Sequence, residues 1–146
     1  MKKSIKVAAA FLSVLTLFSF SKIFCEPASG DYKVSFSYVA GFKSGSGSSG
    51  EGVIPYVNVK ENKVVLPPFV FSKKFQVNSF EIEDVEITET EEKTLLNCKK
   101  FTSNDGKYDI TGYELTGTIT DGKLEMRVIY KAGKMPFKLI VNYISE

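Results

Sequence analysis

The apolar residues of this chain recur at every second position. Tyr32, Val34, Phe36 and Tyr38 alternate with Lys33, Ser35 and Ser37, and Phe137, Leu139, Val141 and Tyr143 alternate in the same way near the other end. A two-residue period places successive side chains on opposite faces of an extended strand, one face apolar and the other polar. Beyond the first 25 residues, no window holds the 3.6-residue period of a helix for more than a few positions. Such a chain buries its apolar side chains as sheet, and 146 residues allow one domain of it.

The stretches between these ends fit the same pattern. Residues 53–59 read as a strand interrupted by Pro55, and Lys60-Glu61-Asn62-Lys63 as a tight turn into Val64-Val65-Leu66. Pro67-Pro68 breaks the ladder before Phe69, Val70 and Phe71. Phe80 and Ile82 share a face, but Val85 and Ile87 resume it three residues later, which is how a β-bulge at Asp84 reads in sequence. The same slip recurs at Gly112: Tyr108 and Ile110 precede it, and Tyr113, Leu115 and Ile119 resume after it. Asp105-Gly106 and Asp121-Gly122 predict hairpin turns, since both central positions take a left-handed backbone, and Lys131-Ala132-Gly133-Lys134 predicts a further turn. Residues 43–52, KSGSGSSGEG, hold no apolar or β-branched side chain and predict a flexible Gly/Ser loop. Long sequential antiparallel strands predict an all-β fold, an up-and-down barrel of about eight strands, with a two-sheet β-sandwich as the alternative.

The first 25 residues differ. Lys2, Lys3 and Lys6 precede an apolar run over residues 7–20, and a polar Pro- and Gly-containing stretch follows at 26–30. This is the pattern of a secretory signal peptide helix, too short to span a bilayer, which needs roughly 20 apolar residues. The expected organisation is therefore a signal peptide at 1–25 and one domain at 26–146, delivered to the periplasm, cell envelope or exterior. The charge follows from this division. The whole chain carries +2, but Lys2, Lys3, Lys6 and Lys22 lie in the leader without an acid, leaving 15 basic against 17 acidic side chains. A nearly neutral, exported domain has no field suited to nucleic acid.

Cys25 admits three readings. It is the last residue removed, or a candidate lipidation site at a lipoprotein N-terminus, or it survives cleavage after Ser21 and pairs with Cys98. The Lys-Ile-Phe before it matches lipoprotein signals poorly. Cys98, in Leu95-Leu96-Asn97-Cys98, reads as a small buried apolar residue. The chain has no His, which removes the commonest general base and the usual partner of a catalytic Ser or Cys. No enzyme, cofactor or metal site is expected.

Four stretches carry a family resemblance: residues 31–38, 64–71 and 80–87, and above all GYELTGTITDGKLEMRVIYKAGKMPFKLIVNYI at 112–144. Together they resemble the bacterial calycin-like, or lipocalin-like, barrels. The last stretch is similar to that family's closing strands, with Gly117 before a Thr-Ile-Thr strand and an Asp-Gly turn. Lipocalins proper carry a Gly-x-Trp near the first strand, and this chain has no Trp. The looser calycin-like grouping implies a closed exported barrel, no catalysis, and binding of a small hydrophobic ligand.

That ligand would sit in the barrel interior, lined by Tyr32, Val34, Phe36, Tyr38, Phe69, Phe71, Phe80, Ile82, Tyr113, Tyr130, Leu139 and Val141, with Val85 and Leu115 facing the same way. A solid core of the same side chains is the competing reading. The acids Glu81, Glu83, Asp84, Glu86, Glu89, Glu91 and Glu92 read as a solvated strand face, because no Gly-bearing calcium loop spacing accompanies them. A lipid-spanning barrel does not fit, since Lys33, Glu81, Glu83, Glu86, Glu125, Arg127 and Lys138 occupy the face that would meet lipid. Membrane contact is expected only through a lipid on Cys25. The alternative function is a surface protein-interaction module, an adhesin or enzyme inhibitor, acting through end loops.

Overall fold

The computed structural model describes residues 29–146, and within them the chain forms strands and turns with no helix. The predicted signal peptide and the fate of Cys25 lie outside the described residues. The strands are β1 (Gly30–Ala40), β2 (Lys43–Ser46), β3 (Tyr56–Lys60), β4 (Lys63–Leu66), β5 (Phe69–Val70), β6 (Gln76–Val77), β7 (Phe80–Ile82), β8 (Glu86–Glu89), β9 (Thr94–Cys98), β10 (Phe101–Asn104), β11 (Asp109–Thr120), β12 (Lys123–Ala132) and β13 (Leu139–Ser145). Among the described residues the strands pair antiparallel, and the main sheet runs β7-β4-β3-β1-β13-β12-β11-β9-β8, with β10 also on β11 and β2 also on β1.

The end strands of this path are β7 and β8, which are joined by only Glu83, Asp84 and Val85. Nine flat strands would separate their ends by about 38 Å at 4.8 Å per strand. The linking segment spans at most about 14 Å. The sheet therefore curls round on itself into an antiparallel barrel, open along one seam. Ser103 Oγ of β10 crosses that seam and donates to the Glu81 carbonyl of β7 at 2.6 Å. β7 with β8, and β9 with β10, each act as one broken stave, which gives eight staves in up-and-down order. The pairing of β1 with β13 brings the first stave against the last, Val34 opposite Ser145 through Ala40 opposite Leu139.

Both predicted slips are present. Asp84 takes a left-handed φ of 60° where the fourth stave changes partner, and the Val85 amide donates to Asn62 O at 2.8 Å. Between β11 and β12 the register shifts between Gly112 and Glu114, leaving Tyr113 as the extra residue. Gly112 is where the sheet needs no side chain: a Cβ there would lie 2.3 Å from the Phe101 ring that faces it across the β10–β11 pair. The Asp121-Gly122 turn is left-handed at both positions, with φ 54° and 76°.

One segment follows expectation and one departs from it. As the Pro67-Pro68 break predicts, residues 69–77 do not continue the β4 ladder. Pro67 and Pro68 offer no amide hydrogen, so the chain leaves the sheet and pairs β5 with β6 as a separate hairpin. The Gly/Ser stretch is not a free loop. Its first four residues form β2 along Ser37–Ala40, and Ser49 is buried with its Oγ donating to Pro68 O at 2.7 Å. The Val70 amide donates to Ser48 O at 2.8 Å, and the Gly47 amide to Phe36 O at 2.6 Å. Gly47 lies so close over the Phe36 ring that a Cβ would come within 2.1 Å of it. The missing side chains of this stretch serve close packing.

Gly47→Ala should lower stability by about 1–3 kcal/mol, the usual cost of forcing an atom into a packed site. Gly45→Ala, whose Cβ would make ordinary 3.7 Å contacts with Tyr38 and whose φ is unstrained, should change it by less than about 0.5 kcal/mol. Urea denaturation midpoints read both, and equal small effects would return the segment to a passive linker.

Candidate binding site at one end of the barrel

The barrel interior is filled by the side chains that alternation predicted to face inward. Val34, Phe36, Tyr38, Phe69, Phe80, Ile82, Val85, Leu115, Tyr130, Leu139 and Val141 are all buried, and Tyr32 and Phe71 pack against them half-buried. Tyr113 is the exception. Gly112 and Leu115 face inward across the bulge, so the extra residue falls outside the inward set, half-buried, with Lys138 Nζ 4.3 Å from its ring centroid.

The rings inside touch one another. Phe36 meets Phe69 edge-on at 5.6 Å between centroids and Tyr143 at 5.2 Å, and Phe80 meets Tyr130 edge-on at 5.2 Å. Such pairs contribute about 0.5–1.5 kcal/mol each beyond area burial. Burial pushes the hydroxyls of Tyr130 and Tyr143 well above the ordinary tyrosine range, with a smaller effect of Asp105 on Tyr130 and of Tyr130 on Tyr143. The β5–β6 hairpin closes one mouth, its Phe69 set against Phe36 and Tyr38.

Outside that mouth, four turns come together. Phe71 of the hairpin stacks edge-on with Phe75 at 6.0 Å, and Phe75 with Tyr108 of the β10–β11 turn at 5.2 Å. The Tyr108 ring lies beside Gly133 of the β12–β13 turn, and Phe137 of that turn lies beside Gly41 of the β1–β2 turn. Phe75, Tyr108, Ala132, Met135 and Phe137 line an apolar recess of about 340 Å³, with Lys134 at its edge. Lysines lie in or beside each turn: Lys43, Lys73, Lys74, Lys107, Lys134 and Lys138, all exposed. Lys43 Nζ lies 4.7 Å from the Phe71 centroid and Lys107 Nζ 5.0 Å from Tyr108. Phe42, at the tip of the β1–β2 turn, is 111% exposed.

Asp105 holds this end together. Its carboxylate accepts from the amides of Asn78 at 2.7 Å, Lys107 at 2.9 Å and Tyr108, and its carbonyl accepts from Asn78 Nδ2 at 3.2 Å. It thereby ties the β10–β11 turn to the segment following the hairpin. Burial raises the carboxyl, but the donors from Tyr108, Asn78, Lys107 and its own amide outweigh this and hold it below the ordinary value. The Asp105-Gly106 pair predicts a turn left-handed at both positions. Gly106 alone has positive φ, at 93°, because the Asp105 side chain replaces the second turn bond.

The other predicted features are placed as follows. Two larger recesses, of about 680 and 820 Å³, lie on the outer sheet face and along the seam. Glu81 reaches Lys63 at 4.0 Å, and Glu83, Asp84 and Glu86 are exposed. Among the described residues no three His, Cys, Asp or Glu side chains come together as metal ligands. Lys33, Glu125, Arg127 and Lys138 point outward and are exposed, the inverse of what a strand in lipid requires. Cys98 is buried, its Sγ donating to Lys100 O at 3.5 Å; burial and then Asp84 raise its thiol above the ordinary value. The lysine and aromatic pairs at the turns were missed in the sequence, although each is visible as Phe42-Lys43, Lys74-Phe75, Lys107-Tyr108 and Phe137-Lys138.

No family model matches the chain, and no curated protein matches it either. The fold is similar to the crystal structure of a putative outer membrane protein from Bacteroides fragilis NCTC 9343, with a TM-score of 0.64 and 18% identity over 81% of this chain. The match spans 50% of that protein, so this chain corresponds to half its length. At that identity the likeness bears on the fold, a strand-rich barrel.

Asp105→Asn should destabilise by about 2 kcal/mol at neutral pH, the scale of a charge-assisted bond lost from a buried site. The depressed carboxyl contributes its full stability above an unfolded value of about 4 and loses it as pH falls through the folded value. The gap between wild type and variant in urea titrations should therefore narrow below about pH 4. Alkylation at Cys98, followed by peptide mass spectrometry at pH 8, should run at least about tenfold slower in the folded protein than in denaturant, since the reactive species is the thiolate.

Proposed function

We propose that this protein is an exported, envelope-associated calycin-like barrel that performs no catalysis and binds through one end. The observation that carries this reading is the contrast between an interior occupied by mutually packed rings and an apolar recess with exposed aromatic and basic side chains at the hairpin-plugged mouth. Export rests on the leader pattern of residues 1–25, and the envelope location is in keeping with the name of the structural neighbour. The small hydrophobic ligand implied by the calycin-like resemblance finds room in the recess beside Phe75, Tyr108, Met135 and Phe137; inside the barrel it would have to displace Phe36, Phe69 or Tyr143. The volume of about 340 Å³ suits a short acyl chain or one apolar side chain of a partner, near the lower limit for ligand pockets.

Native mass spectrometry of protein recovered from its own cell envelope tests this. An apolar adduct, or uptake of a lipophilic dye, should be lost in Met135→Lys, which places a charge in the recess, and retained in Val141→Ala, which opens the barrel interior. Retention by Met135→Lys with loss in Val141→Ala would move the site back inside the barrel.

A further inference from the structure

The charges of the described chain are unevenly divided between its two ends. Lys43, Lys73, Lys74, Lys107, Lys134 and Lys138 lie in or beside the turns around the plugged mouth, against Asp109, the buried, amide-bonded Asp105, and Glu51 on the segment that packs on the hairpin. The opposite end carries Glu61 in the β3–β4 turn, Asp121 in the β11–β12 turn, Glu89, Glu91 and Glu92 around the β8–β9 turn, and Glu146, set against Lys60, Lys63, Lys93 and Lys123, so it is acidic on balance. Ile119 pairs with Thr94, and Leu124 donates its amide to Ser145 Oγ at 2.7 Å, which puts the acidic β8–β9 and β11–β12 turns and the C-terminal residues together. A near-neutral protein so divided is a dipole, and an anionic surface would orient it mouth-first. The mouth also bears features a merely solvated charged end does not need. Phe42 stands fully exposed at a hairpin tip, and Phe71, Phe75, Tyr108 and Phe137 are half-exposed behind it. Lysines with their heads beside aromatic rings, around a protruding phenylalanine, are the composition of an interfacial anchor: charge is drawn to anionic headgroups while apolar rings enter the acyl boundary.

We infer that the lysine-rimmed mouth docks on the surface of an anionic phospholipid bilayer, with Phe42 entering the interface and Lys43, Lys73, Lys74, Lys107, Lys134 and Lys138 meeting the phosphates. This rests on the end-binding reading and names its partner. It is a membrane contact built into the barrel itself, separate from the candidate lipidation site at Cys25. The binding is peripheral, because the outward strand faces remain charged. It weakens with salt, because the Debye length is about 8 Å at physiological ionic strength.

Sedimentation with vesicles tests it, using exported protein with its native N-terminus and comparing variants that share that N-terminus. Wild type should bind vesicles of phosphatidylglycerol and phosphatidylcholine far more tightly than vesicles of phosphatidylcholine alone. Each lysine at the surface contributes roughly a fivefold factor, so the combined variant K73S, K74S, K107S and K134S should lose at least about a hundredfold in partitioning. Phe42→Ser, with charge unchanged, should lose about tenfold. Lys60→Ser with Lys123→Ser, at the opposite end, should lose less than about twofold. All these positions are exposed, and unchanged thermal melting confirms that the variants fold. Equal binding by wild type and the quadruple variant, or equal binding to both vesicle types, overturns the proposal. Binding to soluble polyglutamate without binding to vesicles also overturns it and identifies an acidic macromolecule instead. If vesicle binding fails while Met135→Lys still abolishes the apolar adduct, end-binding stands and only the membrane partner falls.

Discussion

Glu83, Asp84 and Val85 join the two end strands of one long sheet, and that covalent link is what makes a barrel of it. A nine-strand path whose ends are three residues apart cannot lie flat. Asp84 accepts a left-handed backbone to make the change of partner, so that β7 hydrogen-bonds to β4 while β8 hydrogen-bonds to β9. Once the sheet curls, every inward side chain competes for the same narrow space. The aromatic content of β1, β5, β7, β12 and β13 then becomes a packed column of rings, and glycine is required where a ring lies directly on the backbone, at Gly47 and Gly112.

Filling the interior moves the available chemistry to the ends. The β5–β6 hairpin folds over one mouth because Pro67 and Pro68 stop β4 from pairing further, and its Phe69 fits between Phe36 and Tyr38. The same hairpin carries Lys73, Lys74, Phe71 and Phe75 to the rim. Asp105 then locks the adjacent turn against Asn78, Lys107 and Tyr108. Plug, clamp and basic rim are thus consequences of one packing decision, and the end-binding and membrane-docking proposals both depend on it.

Much of this architecture was legible in the residues. Alternation along β1, β12 and β13 marked the inward faces, and Val34, Phe36, Tyr38, Phe80, Ile82, Tyr130, Leu139 and Val141 are buried as that pattern requires. The phase slips at Asp84 and Gly112 announced the two irregularities of the sheet. The slip lies one residue beyond Gly112, at Tyr113. Alternation locates an extra residue within two or three positions without saying which one is extra, and packing against Phe101 puts Gly112 inside and Tyr113 out. The Gly/Ser stretch misled for a related reason. Small residues lower the local preference for any one shape, but they also permit close approach, and only the ring of Phe36 beneath Gly47 decides between these outcomes.

By itself the sequence determined an antiparallel sheet with one apolar face, its hairpin turns and its lack of histidine chemistry, because periodicity and side-chain type act locally along the chain. Tertiary structure alone decided whether the inward rings leave a cavity, which turns share an end, and where the lysines gather. Those properties depend on residues from β1, the β5–β6 hairpin and the β10–β11 and β12–β13 turns meeting in space. Lys43, Lys73, Lys107 and Lys134 are scattered over more than ninety positions, and they become one surface only when the sheet curls.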